Sequence, residues 1–321
     1  MPRMRARSVA LRVAVVAGLF AAVVVLVAQL VPGAERRLAD ALPGWLAIAV
    51  GAELVACAGY ALLFHAVFSR PPHTLPAVRS AQIAVGELAG YAIVPTGLGG
   101  PALRFWALRR GGMPWRPIAV RSVAHAPLLN VPYLLAAVAL GVGVAVRVGP
   151  GHAPLLVALA PAGIVCVVLL AALAVTAGAR SRLVARRGAK LRDALRVVPD
   201  GMRELPPLAR RPATLGGAFA YWAGDCAALL AAFHACGGDP AVAVVVLAYM
   251  LGQLGNLLPL PGGIGGVEPL MLGVFAASGV PTGLGAAAIV CYRAIALGIQ
   301  GVLGTAAAVA LAHELRATAV E

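Results

Sequence analysis

Long apolar runs alternate with short polar connections from one end of the chain to the other. The apolar segments fall near residues 9 to 31, 44 to 68, 80 to 110, 117 to 146, 153 to 178, 213 to 236, 241 to 279 and 283 to 311. At about 1.5 Å of rise per residue, most of them match a hydrocarbon core of about 30 Å, which predicts membrane-crossing helices. Two are interrupted. The run 80 to 110 contains Pro95, Thr96, Gly97, Leu98, Gly99, Gly100 and Pro101, and the run 241 to 279 contains Pro259, Leu260, Pro261, Gly262, Gly263, Ile264, Gly265 and Gly266. Proline removes a helical donor, so each run is predicted to split into two half-length helices. The expected fold is an all-α polytopic membrane protein with about six full transmembrane helices plus two re-entrant helical hairpins.

The interrupted runs are related to each other. GELAGYAIVPTGLGG (86–100) aligns without gaps on GQLGNLLPLPGGIGG (252–266) at an offset of 166, with six of fifteen positions identical. The same offset carries 44–68 onto 210–234 and 117–146 onto 283–312. The order helix, helix, hairpin, helix therefore occurs twice within one membrane domain spanning 1–321. Repeat one covers about 9–146 and repeat two about 153–311, with a basic cytoplasmic connection at about 180–212 inside the second. Four segments with one hairpin make three crossings, so the second copy is inverted. Inverted repeats with helices broken at the bilayer midplane are an architecture of secondary transporters.

Composition narrows the class further. Hydrophobic residues make up 61% of the 321 residues and charged residues 12%, more apolar surface than a soluble core uses. The net charge of +14 does not point to nucleic acid, because the basic residues sit between the apolar runs. With the topology above, 20 of the 26 Lys and Arg residues are cytoplasmic, Arg36, Arg37 and Arg147 are external, and Arg104, Arg121 and Arg293 lie within membrane segments. That bias satisfies the positive-inside rule and predicts a multi-pass protein of the bacterial cell (inner) membrane with both termini cytoplasmic. Arg70 and Arg79 precede the first broken run, and Arg109, Arg110 and Arg116 follow it, so that hairpin enters from the cytoplasm. The second has no cation at either end and is placed on the outer side. The connection 180–212 carries ten cations and an apolar row at Val184, Leu191, Leu195 and Val198, which predicts either an amphipathic helix on anionic inner-leaflet lipids or a solvated basic loop. Five cysteines without a CxxC pair and six histidines without HExxH spacing suggest no metal site and no cofactor. No acid cluster of metal-ligand spacing appears either, and the chain is not expected to be an enzyme.

Ionisable groups deep in hydrocarbon are costly, so each is a functional candidate. Four acids qualify: Glu53, Glu87, Asp225 and Glu268. Arg293 stands about ten residues into its span and Arg104 just past the first break, whereas Arg121 lies close enough to its cytoplasmic end to snorkel and is set aside. The second half-helices are expected to point free backbone N–H groups into the midplane, a site for an anion such as a phosphodiester. Arg293 adds a planar fork suited to phosphate oxygens. Gly97, Gly99, Gly100, Gly262, Gly263, Gly265 and Gly266 would let that backbone approach closely, and Gln253 and Asn256, one turn apart, would line the same cavity. The predicted substrate-binding set is thus Arg293, Glu268, these seven glycines, Arg104, Asp225, Gln253 and Asn256. Candidates for proton coupling are Glu268, Asp225, Glu53 and Glu87. The same residues also fit a structural role: glycines for packing and turning, Glu268 as a first-turn carboxylate, and Glu268–Arg293 and Glu87–Arg104 as ion pairs.

The stretch YMLGQLGNLLPLPGGIGGVEPLMLGVFAASGVP followed by CYRAIALGI resembles the transmembrane, flippase-like domain of bacterial lysylphosphatidylglycerol synthetases. PTGLGGPALRFWALRRGG resembles that family's earlier proline-glycine motif, and YWAGDCAALLAAFHACG its penultimate long helix. The likeness covers essentially the whole chain. It implies translocation of an aminoacylated phospholipid or a lipid-bound glycan between leaflets. Two-part synthetases continue into a cytoplasmic aminoacyl-transferase domain, whereas this chain stops at Glu321. No aminoacyl transfer is expected here, and an aminoacyl lipid would need a separate lipid-modifying enzyme as partner. The leading expectation is a lipid translocase that binds the head group of a phospholipid or polyprenyl-linked substrate while the tail stays in lipid. The alternative is a proton-coupled secondary transporter of a small soluble anion.

Overall fold

The computed structural model describes residues 31–94, 98–147, 153–179, 189–258 and 260–317, together with Gly18. Hydrocarbon offers no partner for a backbone N–H or C=O, so each apolar run closes its own hydrogen bonds as a helix. In chain order the helices are α1 (Ala34–Ala39), α2 (Pro43–Phe68), α3 (Ala77–Ile93), α4 (Gly99–Arg110), α5 (Trp115–Ala145), α6 (Leu155–Ala179), α7 (Ala189–Arg203), α8 (Leu205–Ala209), α9 (Pro212–Ala235), α10 (Val242–Gln253), α11 (Val267–Ala277) and α12 (Thr282–Ala317). Two 3₁₀ turns, Leu254–Leu257 and Pro261–Gly263, join α10 to α11. Helices α2, α5, α9 and α12 are long and apolar enough to cross a membrane. The expected first span at 9–31 apart from Gly18 and Val31, the loop residues 180–188, and Pro95, Thr96, Gly97 and Pro259 of the two breaks lie outside the described residues.

The centre of the fold is the crossing of α2 and α9. Glycine makes it possible: a Cβ on Gly217 would stand 2.6 Å from the Leu63 nitrogen, and one on Gly224 would stand 2.7 Å from the Ala52 oxygen. Without an aqueous driving force between helices, this close backbone approach is what holds them together. It also brings the acid on α2, Glu53, to the acid on α9, Asp225. Helix α12 packs along α3 and reaches α9, α2 and α11, so its residues 292–300 face both broken segments. Pro127 and Pro132 interrupt the hydrogen-bond ladder inside α5. Between them, the Leu129 carbonyl accepts from Trp222 Nε1 on α9 at 2.6 Å, which ties the proline-interrupted stretch of α5 to α9.

Two expectations change at the basic face. Arg121 does not snorkel: it is 5% exposed and donates from Nη1 to the Phe68 carbonyl at 2.7 Å and from Nη2 to the Arg70 carbonyl at 3.2 Å. Phe68 ends α2, where carbonyls lack an intrahelical partner, so Arg121 works as a C-terminal cap supplied by another helix. In the connection, α7 and α8 are helical. The described member of the predicted apolar row, Val198, is half-buried, and its neighbour Val197 is the buried residue. Val184 lies outside the described residues, as do the side chains of Leu191 and Leu195. Gly201 closes on Val120 and Val123 of α5, so the inward face of α7 is set by packing on α5.

Candidate functional site

A polar cavity of about 160 Å³ opens where the two broken segments meet α9 and α12. Each element contributes residues at one-turn spacing: Leu88 and Tyr91 on α3, Tyr221 and Asp225 on α9, Tyr249 and Gln253 on α10, and Arg293, Leu297 and Gln300 on α12. Residues three or four apart share one helix face. The bend between α10 and α11 completes the wall with Asn256, Leu260, Gly262 and Gly263. At Gly263, φ is +66°, and an added Cβ would run into Asn256 Oδ1 and stand 2.8 Å from Val267 Cγ2. Both the conformation and the space therefore call for glycine. The backbone at Gly262 lies against Ala92 of α3, so the two breaks face each other across the cavity.

Arg293 is the cation of the site and is 6% exposed. Its Nε donates to Glu268 Oε1 at 2.8 Å, and its Nη2 donates to the Gly262 carbonyl. Glu268 Oε2 in turn accepts from the Gly265 backbone N–H at 2.7 Å. One carboxylate thus satisfies the entrance to α11, where negative charge is favoured, and orients the guanidinium. Arg293 Nη1 has no partner among the described residues. Asn256 Nδ2 donates to Gln253 Oε1 at 2.6 Å, which leaves the Gln253 amide hydrogens for whatever enters. The free guanidinium edge and these amides are donors, arranged for oxygen acceptors carrying negative charge.

Behind this layer lie the acids. Asp225 Oδ2 accepts from Tyr249 and Oδ1 accepts from Tyr292 at 2.7 Å. Glu53, fully buried, accepts from Gln300 Nε2 at 2.8 Å through Oε1, and its Oε2 meets no donor among the described residues. The aromatic rings around Asp225 form a continuous wall: Tyr133 stacks on Trp222 with centroids 4.2 Å apart, and Trp222 meets Tyr249 edge-on at 5.8 Å. On its far side is an apolar cavity of about 320 Å³ between α5, α9 and α10, lined by Tyr133, Phe219, Trp222 and Val246 among others.

The structure brings Arg293, Glu268, Asp225, Gln253, Asn256, Gly262 and Gly263 to one place, with Gly265 donating to Glu268. It sets others apart. Arg104 Nη1 pairs with Glu87 Oε1 at 3.2 Å, away from the cavity lining, with its guanidinium 5.4 Å over the Phe68 ring. Tyr91 is the link, since its hydroxyl donates to Glu87 at 3.2 Å while its ring lines the cavity. Gly99 and Gly100 do not line it either: Gly99 closes on the Gly90 carbonyl, and a Cβ on Gly100 would stand 2.8 Å from Glu87 Cγ. A Cβ on Gly266 would stand 2.7 Å from the Gly255 carbonyl, and Gly97 lies outside the described residues. The expected bare helix N-terminus at α11 is taken up by Glu268. Sequence reasoning missed Tyr91, Tyr249, Tyr292 and Gln300. Their signal was the i, i+4 repetition of hydrogen-bonding side chains within apolar helices, as at Glu87 and Tyr91 or Tyr249 and Gln253.

The family model described as the lysylphosphatidylglycerol synthase TM region matches residues 8–304. No curated protein matches the chain.

Proposed function

Because the chain belongs to the lysylphosphatidylglycerol synthase TM-region family, we propose that this multi-pass membrane protein is a lipid translocase that carries an anionic head group through the polar cavity between leaflets. The observation that carries the reading is the Arg293 guanidinium edge exposed in a cavity of about 160 Å³. At about 30 Å³ per water, that is room for about five waters, enough for a phosphate-type head group and far too little for a whole lipid. The tail must stay outside, in hydrocarbon. The apolar cavity on the other side of the Tyr133, Trp222 and Tyr249 wall suits such a tail, and this pairing of polar and apolar spaces favours an amphiphile over a soluble anion.

In this reading α3 with α4 and α10 with α11 are re-entrant pairs, and six helices cross the bilayer. The offset of 166 places α2 on α9, the first broken pair on the second and α5 on α12, which supports two inverted repeats. The termini are cytoplasmic, the protein sits in the bacterial inner membrane, and alternating access exposes Arg293 to either side. The second reading, a proton-coupled transporter of a small anion, draws on Glu53, buried beside Asp225 with one oxygen lacking a donor among the described residues.

The test is a reconstituted assay of labelled-phospholipid translocation run beside uptake of small anions with and without a pH gradient. Translocation that disappears in Arg293→Lys, a variant that keeps the charge and loses the fork, supports the head-group site. Wild-type translocation in Arg293→Lys and Arg293→Leu sinks it. Gradient-driven anion uptake without lipid movement favours the second reading.

A further inference from the structure

The basic end of the molecule holds a second cleft, of about 630 Å³, which shares no lining residue with the polar cavity. It lies between the α2–α3 turn, the start of α5, the α7–α8 junction and the start of α9. Arg70 and His73 exchange backbone hydrogen bonds at 3.1 and 2.9 Å, and Arg121 holds the Arg70 carbonyl, so the two side chains leave one pinned turn. Four guanidinium groups line the cleft, from Arg70, Arg116, Arg121 and Arg211, against two carboxylates, Asp200 and Glu204.

Both carboxylates are already engaged. Glu204 pairs with Arg70, and Asp200 pairs with Arg116 at 2.9 Å and with Arg203 at 2.7 Å. What remains is an excess of cation over carboxylate among the described lining residues. Arg211 has no acceptor among the described residues. Arg70 Nε and His73 Nδ1 are buried, and neither has a hydrogen-bond partner among the described residues. Buried polar atoms are rarely left so, and an unpaired guanidinium donor beside surplus guanidinium charge asks for an anion with several oxygens.

We infer that this cleft binds a phosphate group, the chemistry shared by a phospholipid head group and free inorganic phosphate, through Arg211, Arg70 and His73. The inference does not depend on translocation, since the cleft and the polar cavity have separate walls.

Purified full-length protein in neutral detergent is titrated with inorganic phosphate and, separately, with a short-chain phosphatidylglycerol, reading thermal stability and ligand retained in native mass spectrometry. Wild type is expected to bind at least one of them, and which one identifies the source. Arg70→Gln with Arg211→Gln should weaken binding by about tenfold or more, the loss expected when charged hydrogen bonds are removed. Arg211→Gln alone leaves all three ion pairs intact and should weaken it by a smaller factor, so this variant decides if the double variant does not fold. Arg210→Gln, exposed next to the cleft and outside its lining, should bind as wild type. Absence of binding of either probe to wild type, unchanged affinity in Arg211→Gln, or an equal loss in Arg210→Gln overturns the inference.

Discussion

The two broken helix pairs share a sequence pattern and use it differently. In the first, α3 and α4 close directly on each other: Gly99 sits on the Gly90 carbonyl, Gly100 on Tyr91 and Glu87, and the charged pair Glu87–Arg104 is internal to the two helices. In the second, two 3₁₀ turns and several positive-φ glycines widen the bend, and Glu268 reaches out of the pair to Arg293 on α12. The first pair gives the cavity mainly one apolar flank and Tyr91, whereas the second gives it Gln253, Asn256 and exposed main chain. At the offset of 166, Glu87 falls on Gln253 and Pro127 falls on Arg293. Of two broken pairs with a similar sequence, one therefore closes on itself and the other opens onto the cavity, where the proposed head-group site lies. What separates them is where the ion pair points.

The largest effect is expected at Arg293. Arg293→Leu should reduce translocation to background and, by stranding Glu268, lower stability by about 3–5 kcal/mol. Arg293→Leu combined with Glu268→Leu should recover most of that stability and none of the transport. If the double variant transports, the open copy is no more functional than the closed one.

Arg104→Leu should lower stability by a similar amount, about 3–5 kcal/mol, because Glu87 is also buried. Here the paired change with Glu87→Leu should restore both stability and near wild-type translocation. Thermal unfolding in detergent beside the proteoliposome assay separates the two outcomes, and lost transport in a stable double variant would make the first pair part of the site.

Glycine substitutions should produce smaller changes. Gly99→Ala drives a methyl into the Gly90 carbonyl and Val94 and should cost about 1–3 kcal/mol through overpacking. Gly265→Ala meets open space but holds φ at +86°, so about 1–2 kcal/mol of backbone strain is expected instead. Equal unfolding midpoints for Gly99→Ala and wild type would contradict the tight closure of the first pair.

The smallest effect belongs to Gly273, inside α11 with nothing within 4 Å of an added Cβ. Gly273→Ala should raise stability by about 0.5–1 kcal/mol, the helix preference alone, and leave translocation unchanged. A loss of stability there would mean that α11 packs more closely than its open surroundings allow.

Much of this was legible in the residues. Apolar run length and Pro-Gly interruptions fall where α2, α3 with α4, α5, α6, α9, α10 with α11 and α12 occur, because hydrocarbon forces every run into a self-satisfied helix. The acids and Arg293 stood out because charge inside an apolar run is expensive. The partners did not stand out. Arg121 caps the Phe68 carbonyl from 53 positions away, and no local pattern carries a contact of that separation. Arg104, just past the first break, and Arg293, about ten residues into the last span, were both cations within apolar runs, yet one is consumed within its own helix pair and the other faces a cavity.

By itself the sequence determined that the protein is helical, where its helices break, and that Glu53, Glu87, Asp225, Glu268, Arg104 and Arg293 lie within them, since these follow from short-range hydrogen bonding and from the cost of charge in an apolar medium. It did not determine that Arg121 is buried. Only the tertiary structure decided that Tyr249 and Tyr292 converge on Asp225, that Glu268 holds Arg293, and that one of two similar breaks stays open. Those outcomes depend on how α2 and α9 cross at Gly217 and Gly224 and on which face of α12 meets them. Helix crossing is set by the fit of whole surfaces, a property of many residues far apart in the chain that no single motif encodes.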